Sequence, residues 1–409
     1  MKNSLRVAGL LAALAVVSGC AAPISGKAKP GMTPVDLAAL KTGAQITEPT
    51  EFVERFPSAT SERIRLIEGR RLLNVLVHPI DYFPSLPELG YTRIFANADA
   101  MSKTGGIPAQ YADAVTRNKL VVGVSAVRTN GSVRNTEQML VGVLQFASEQ
   151  DAKNAAAAMF QVTMSGERPR HPVAVPNYPE ANASSADDQG VNAFQQHGPF
   201  VIVNSVTQST PNVTGLADTI KKSMDAQIPA LDKFKVIAPD DLMDLPRDRE
   251  GIVRRTMDKS AGGGDPFGIS FYNEDFGVFE ASGILHYERN TLETRKAFEE
   301  AGVDLVGRRY STVYRARDVE AAFKLQTVLA KRAKNDTVLA PPPGIADAQC
   351  VRLAEEDKNR EYNGFCVLVY DRYVAVVMSL ASVSKAALEV DPVLQERTAA
   401  QYAILKKSE

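Results

Sequence analysis

The sequence predicts an α+β protein of two related units, each an antiparallel sheet with helices packed on one face, the two units meeting in a groove. Three observations carry this reading. At 409 residues, with 44% apolar and 23% charged side chains, the chain is an ordinary globular sequence too long for one hydrophobic core. A strand-to-helix passage occurs twice, at Val143–Ser148 and at Val313–Asp318. A two-strand hairpin with a following amphipathic helix then occurs twice, at nearly the same distance downstream of each passage.

The elements follow in chain order. Lys2 and Arg6 open the chain, and the apolar run from Val7 to Val17 is too short to cross a bilayer comfortably. The small residues Ser18 and Gly19 leave an extended backbone that a peptidase can grip directly before Cys20. Residues 1–19 are therefore expected to be a secretory signal peptide, and the stretch Leu14–Cys20 resembles the lipobox of bacterial lipoproteins. In that pattern the Cys20 thiol takes a diacylglycerol and becomes the new N-terminus. Acyl chains contribute about 0.8 kcal/mol per buried CH₂, and two are enough for stable anchoring. Residues 20–35 read as the acylated cysteine and a flexible tether rich in Pro, Gly and Lys.

Ser61–Val77 has the periodicity of an amphipathic helix, and Leu120–Val127 reads as a strand. Val143-Leu144-Gln145-Phe146 is a strand-like run halted at Ser148, whose hydroxyl can accept a hydrogen bond from a free amide of the first helical turn. Ser148 with Asp151 resembles a capping box with Asp in place of Glu, and Ala152, Ala155, Ala156 and Met159 form a helical stripe. In the second copy Asp318 is the cap, and Ala322, Leu325 and Leu329 form the stripe. Asn192–Val203 lays over Phe365–Val376, each being two strands about a tight turn, Gln196-His197-Gly198-Pro199 or Asp371-Arg372. Helices near Leu216–Ile228 and Val393–Leu405 close the two copies.

The second half adds strands at Ile269–Tyr272 and Val278–Tyr287 and a helix near Thr294–Ala301. Lys259–Gly268 and Leu339–Ile345 read as loops, from their runs Gly262-Gly263-Gly264 and Pro341-Pro342-Pro343-Gly344. The units are accordingly set at residues 36–233 and 234–409.

Without residues 1–19, the remaining 390 carry 45 basic and 48 acidic side chains, a net charge of −3 that makes no electrostatic case for nucleic acid. Two cysteines remain, Cys350 and Cys366. Outside the cytoplasm an isolated pair is most simply a disulfide, and closing a loop of about 15 residues stabilises a fold by roughly 3 kcal/mol. Two distant thiols with no neighbouring histidine do not suit a metal. Ala193 stands in the first unit where Cys366 stands in the second, so the staple belongs to one copy.

Linear motifs of catalysis are lacking. His78, His171, His197 and His286 show no metal-ligand spacing, and there is no zinc, calcium, phosphate-loop or nucleophile-elbow signature. Asp275-Phe276-Gly277 spells a kinase tripeptide without any other kinase element. Catalytic residues are left unassigned, and no metal or cofactor is expected. The residues proposed to face a groove are His286 and Tyr287, adjacent in the expected strand, and Glu68 and Arg71 on the first helix. For His286 the choice lies between a general acid and a structural histidine. For Glu68, Arg70 and Arg71 it lies between a charged cleft and a solvated helix face.

Taken together, Pro34-Val35-Asp36-Leu37, the Arg63–Pro79 segment with Glu68, Arg70 and Arg71, Gly283-Ile284-Leu285-His286-Tyr287, Glu300–Val306 and Thr312–Asp318 resemble an uncharacterised family of actinobacterial (mycobacterial and nocardial) lipoproteins. The resemblance spans nearly the whole mature chain. It implies residence on the extracytoplasmic face of the plasma membrane, held there through the acyl anchor at Cys20, and it carries no activity. The functional expectation is a non-catalytic binding or scaffold protein for an envelope lipid, glycolipid or partner protein. The alternative is a hydrolase acting on wall or lipid components, with a site assembled only in three dimensions.

Overall fold

The computed structural model describes residues 31–52, 64–238, 241–258, 275–357, 362–379 and 389–409. The signal segment, Cys20, most of the tether, the start of the first predicted helix, the Lys259–Gly268 loop and the Ile269–Tyr272 strand lie outside the described residues.

In the first unit the order is α1 (Arg65–Leu73), β1 (Glu88–Phe95), α2 (Ala98–Thr104), α3 (Ala112–Arg117), β2 (Leu120–Thr129), β3 (Gln138–Phe146), α4 (Glu149–Met164), β4 (His171–Pro172), β5 (Asn182–Ser185), β6 (Gly190–His197), β7 (Phe200–Thr207) and α5 (Val213–Asp232). In the second it is β8 (Gly277–Phe279), α6 (Ala281–Ile284), α7 (Thr291–Ala301), β9 (Leu305–Arg308), β10 (Ser311–Arg315), α8 (Val319–Leu329), β11 (Thr337–Leu339), β12 (Gln349–Asp357), β13 (Tyr362–Tyr370), β14 (Tyr373–Ser379) and α9 (Pro392–Lys406).

Each unit contains one seven-stranded sheet, antiparallel throughout. Their strand orders, β1-β2-β3-β7-β6-β5-β4 and β8-β9-β10-β14-β13-β12-β11, are the same topology. The repeat is therefore a repeat of connectivity, not only of local pattern. Both hairpins turn where the sequence places them. Each turn needs one residue at positive φ, supplied by Gly198 (φ 51°) and Asp371 (φ 51°), the latter a short polar residue that tolerates this region.

The predicted caps are present. The Asp318 carboxylate accepts from the Ala321 amide at 2.8 Å, and the Ser148 hydroxyl accepts from the Asp151 amide at 3.1 Å. The reciprocal arm differs from a capping box: the Asp151 carboxylate accepts from the Ser148 hydroxyl at 2.7 Å, which holds its pKa below the ordinary carboxylate value.

Cys350 and Cys366 are directly paired across β12 and β13 and form a disulfide. The same register position in the first sheet holds Ala183 opposite Ala193.

Helix placement departs from the expectation of one covered face. On β3, Leu140 and Leu144 face α4 in one cluster, whereas Met139, Val141 and Val143 share a second cluster with Leu216, Ile220 and Met224 of α5. The second unit repeats this, with α8 on the Val367/Val369 face of β13 and α9 on the Cys366/Leu368 face. Both faces are covered because the central strands are near-continuous apolar runs, without the alternation of a half-solvated sheet.

The two units do not bury equivalent faces against each other. The α5 face of the first sheet and the α7/α8 face of the second belong to one cluster, closed by Leu72, Leu73 and Leu76 from one side and Phe279, Ile284 and Leu285 from the other. The copies thus stack in tandem instead of about a two-fold axis.

The segment preceding α1 packs on the second unit. Val35, Leu37, Leu40 and Phe52 lie against the α9 side, Thr33 hydrogen-bonds Asp347 through its amide and hydroxyl (2.8 and 2.9 Å), and Lys407 pairs with Glu48 at 2.5 Å. Residues 33–52 belong in space to the second unit, although the sequence boundary assigned all but the first few of them to the first.

Candidate functional site

Helix α1 joins the units, and its sequence explains how. Gly69 offers no Cβ, and a Cβ there would come within 2.9 Å of Val122, so the helix lies close on β1 and β2. The residues Ile67, Arg70, Arg71 and Asn74 are spaced i, i+3, i+4, i+7 and therefore share one face. That face looks toward β8, the edge strand of the second sheet, and its polar groups fasten that edge. Arg70 donates to the Phe276 carbonyl at 2.7 Å, Asn74 accepts from the Glu280 amide at 3.2 Å, and Ser282 donates to the Asn74 carbonyl at 2.7 Å. Gly277 sits at φ 136° against Arg70, where a Cβ would approach Nε to 2.6 Å. The Asp275-Phe276-Gly277 triplet thus belongs to the junction.

Glu68 and Arg71, both proposed as groove residues, meet each other. Arg71 pairs with Glu68, donates to the Lys235 carbonyl at 2.9 Å and lies 5.0 Å from the Phe234 ring centre. Glu68 is 0% exposed and accepts from the Ile237 amide at 3.2 Å. Burial raises its pKa against the opposing pull of Arg71 and the Ile237 amide. The pair clamps the inter-unit segment onto α1. A solvated face for Glu68 and Arg70 is corrected: both are buried.

His286 and Tyr287 are not in a strand. The strand ends at Phe279, and Leu285–Tyr287 form a 3-10 turn after α6. The run Ile284–Tyr287 is buried on every side, so its continuous apolar character imitates a strand. His286 is 2% exposed and stacks on His78 with ring centres 3.9 Å apart. Its Nε2–H donates to the Leu76 carbonyl at 3.1 Å, and its own carbonyl accepts from Thr92 at 2.6 Å.

Burial, with Arg295 and Arg128 nearby, pushes His78 down to about 3, and His286 is driven well below its ordinary value by burial and by His78. Both rings are neutral packing groups of the junction, and His286 is not placed to act as a general acid. Tyr287 donates to Asp275 at 2.8 Å, and burial beside that carboxylate raises its pKa, so it remains a phenol. His197, which the sequence places in the first hairpin turn, is half-buried and pairs with Asp232 at 2.7 Å.

The four proposed groove residues therefore do not line one groove. Arg71 lines a junction cleft of about 190 Å³ between α1, β8 and residues 245–249. Arg70, Arg71, Arg247 and Arg249 give this cleft four guanidinium groups against the Glu280 carboxylate, over a floor that includes Ile67, Leu245, Val278 and Phe279. Glu280 lies 3.7 Å from Arg249. Arg247 and Arg249 escaped sequence reasoning because they fall in an irregular connection. Their only sequence signal is the close spacing of two arginines just upstream of the second repeat.

Two topologically identical α+β units, stacked in tandem and riveted by an arginine-bearing helix, define a two-domain protein. Residues 56–247 match the N-terminal domain, and residues 252–408 the C-terminal domain, of the domain of unknown function DUF7373. The chain belongs to this family. The first match begins after residues 33–52, in keeping with their packing on the other unit. No curated protein and no solved structure matches the chain.

Proposed function

We propose that this is a lipid-anchored protein of the extracytoplasmic face of the bacterial plasma membrane that works by binding, without chemistry of its own. Its junction cleft would hold the acidic group of an envelope lipid, a glycolipid or a protein partner. The observation that carries the reading is the lining of that cleft: Arg247 and Arg249 beside Arg70, which donates to Phe276, and Arg71, which pairs with Glu68, with the Glu280 carboxylate and an apolar floor. Guanidinium forks favour carboxylate and phosphate oxygens, and an apolar floor favours the carbon adjoining such a group. At about 190 Å³ the cleft is smaller than the roughly 300–1,000 Å³ usual for small-molecule pockets, which favours recognition of a headgroup over enclosure of a whole lipid.

Acylation of Cys20 supplies the membrane hold. Since Thr33 is fixed to Asp347, the thirteen residue steps from Cys20 place the second unit within about 47 Å of the anchor, at roughly 3.3–3.6 Å per extended residue.

The test is native mass spectrometry of the protein released from its own membrane in detergent, beside an Arg247→Glu/Arg249→Glu variant. One acidic molecule held at one per chain, and retained at least about tenfold less by the variant, is expected. No bound molecule, or equal retention by both proteins, overturns the cleft reading. Labelled palmitate entering wild type and Cys20→Ala equally would overturn the anchor.

A further inference from the structure

A second cleft of about 60 Å³ lies on the second unit and has no part in the reading above. It has room for a few water-sized groups. Its lining includes Arg308, the last residue of β9 and 7% exposed, which the antiparallel register sets directly beside Thr312 of β10. The guanidinium lies 4.2 Å from the Tyr287 ring centre. Among the described residues it has no hydrogen bond and no ion pair, and its Nε is fully buried without a partner.

Such an arrangement is unusual, because a guanidinium withdrawn from water is strongly disfavoured unless an anion or carbonyls replace its hydration. Stacking on a tyrosine offsets only part of that cost and leaves the N–H edges of the fork unused. Three further features line the same cleft. Arg289 lines the same cleft and likewise has no hydrogen bond or ion pair among the described residues. Thr294 and Thr312 are buried there, and their hydroxyls make no hydrogen bond among the described residues. Lys331 stands at the lining as well, paired with Glu293 at 2.8 Å.

The one carboxylate in the lining, Glu288, accepts from the Tyr314 hydroxyl at 2.6 Å. Outside the Lys331–Glu293 ion pair, the two cations Arg308 and Arg289 thus share the lining with one carboxylate, in a space too small for more than a compact group. Two guanidinium forks and two hydroxyls come from four separate places in the fold, β9, β10, α7 and the turn before α7, which suits tetrahedrally arranged oxygens better than the two coplanar oxygens of a carboxylate.

We propose that the Arg308 cleft binds a phosphate group, either inorganic phosphate or the terminal phosphate of a phosphomonoester lipid. Arg308 holds it from the sheet, Arg289 from the rim, and Thr294 and Thr312 donate from the walls. The site is independent of the junction cleft, whose Arg247 and Arg249 lie elsewhere.

The test is isothermal titration calorimetry on the full chain in detergent at constant ionic strength, with sodium phosphate, sodium acetate and the water-soluble dihexanoyl phosphatidic acid. Saturable binding of phosphate or of the short lipid, with acetate at least about tenfold weaker, is expected. The half-exposed rim variant Arg289→Gln, which leaves the core intact, and Arg308→Gln should each weaken it by about tenfold, with Arg308→Lys intermediate. Tighter binding of the short lipid, lost with the same variants, identifies a headgroup; phosphate binding as tight as the lipid identifies the free ion. No saturable binding by wild type, acetate equal to phosphate, or affinity unchanged in Arg289→Gln and Arg308→Gln would each overturn the proposal.

Discussion

At the residue scale, the junction is governed by polar side chains removed from water, among them Glu68, Arg70 and His286. The His78–His286 stack has the clearest measurable consequence. Both imidazoles are held neutral in the folded chain, His78 down to about 3, while the unfolded chain protonates them near 6.5. Below pH 6.5 the unfolded state therefore binds more protons than the folded one. Stability is complete above that pH and is lost progressively as pH falls toward about 3, at up to about 1.4 kcal/mol per pH unit for each ring. His78→Phe keeps an aromatic ring on His286 and removes one titration. Urea midpoints between pH 7 and 4 should fall less steeply for this variant than for wild type, and parallel curves would refute the assignment. The same logic applies to Glu68. A glutamate among arginines on a helix is ordinarily solvated, and only the chain folding back at Ile237 buries it.

At the element scale, the two sheets show what a duplicated pattern keeps and what it varies. Strand order, hairpins and the helix caps at Ser148 and Asp318 are kept. The cross-strand pair on the first hairpin strand varies: Ala183 opposite Ala193 in one sheet, the Cys350–Cys366 disulfide in the other. A pair of buried alanines is thus compatible with this fold, and the disulfide acts mainly by restricting the unfolded chain. Cys350→Ala/Cys366→Ala should fold, lose about 3 kcal/mol, and become insensitive to reductant. Guanidinium unfolding with and without dithiothreitol checks this; equal stability of the variant and oxidised wild type would show that the bond contributes nothing. These elements were legible because caps, turns and strand runs are local. The Val278–Tyr287 strand was not, since a run buried all round carries no period that separates strand from turn.

At the scale of the whole molecule, the units are not independent beads. One apolar cluster runs from the α5 face of the first sheet through α1 to the α7/α8 face of the second, and residues 33–52 tie the start of the described chain to the end of the second unit. Separating the units would expose Leu72, Leu73, Phe279 and Ile284 together, all at 0% exposure. A single cooperative transition is therefore expected in differential scanning calorimetry. Two resolved transitions would show that the shared cluster does not couple them. The coupling also gives the candidate site its rigidity, because both walls of the junction cleft are continuous with this core.

The sequence by itself determined the duplication, the hairpins, the caps, the partners in the disulfide and the α+β class, because each depends on neighbours a few residues away or on periodicity along one strand or helix. Only the tertiary structure decided that helices cover both faces of each sheet, that the copies stack in tandem, and that residues 33–52 rest on the second unit. It alone brought Arg70 and Arg71 to Arg247 and Arg249, and set Arg308 beside Tyr287 with no counterion among the described residues. The physical reason is that burial and charge balance belong to a three-dimensional neighbourhood. An arginine reads the same along the chain whether water, a carboxylate or an open cleft will surround it.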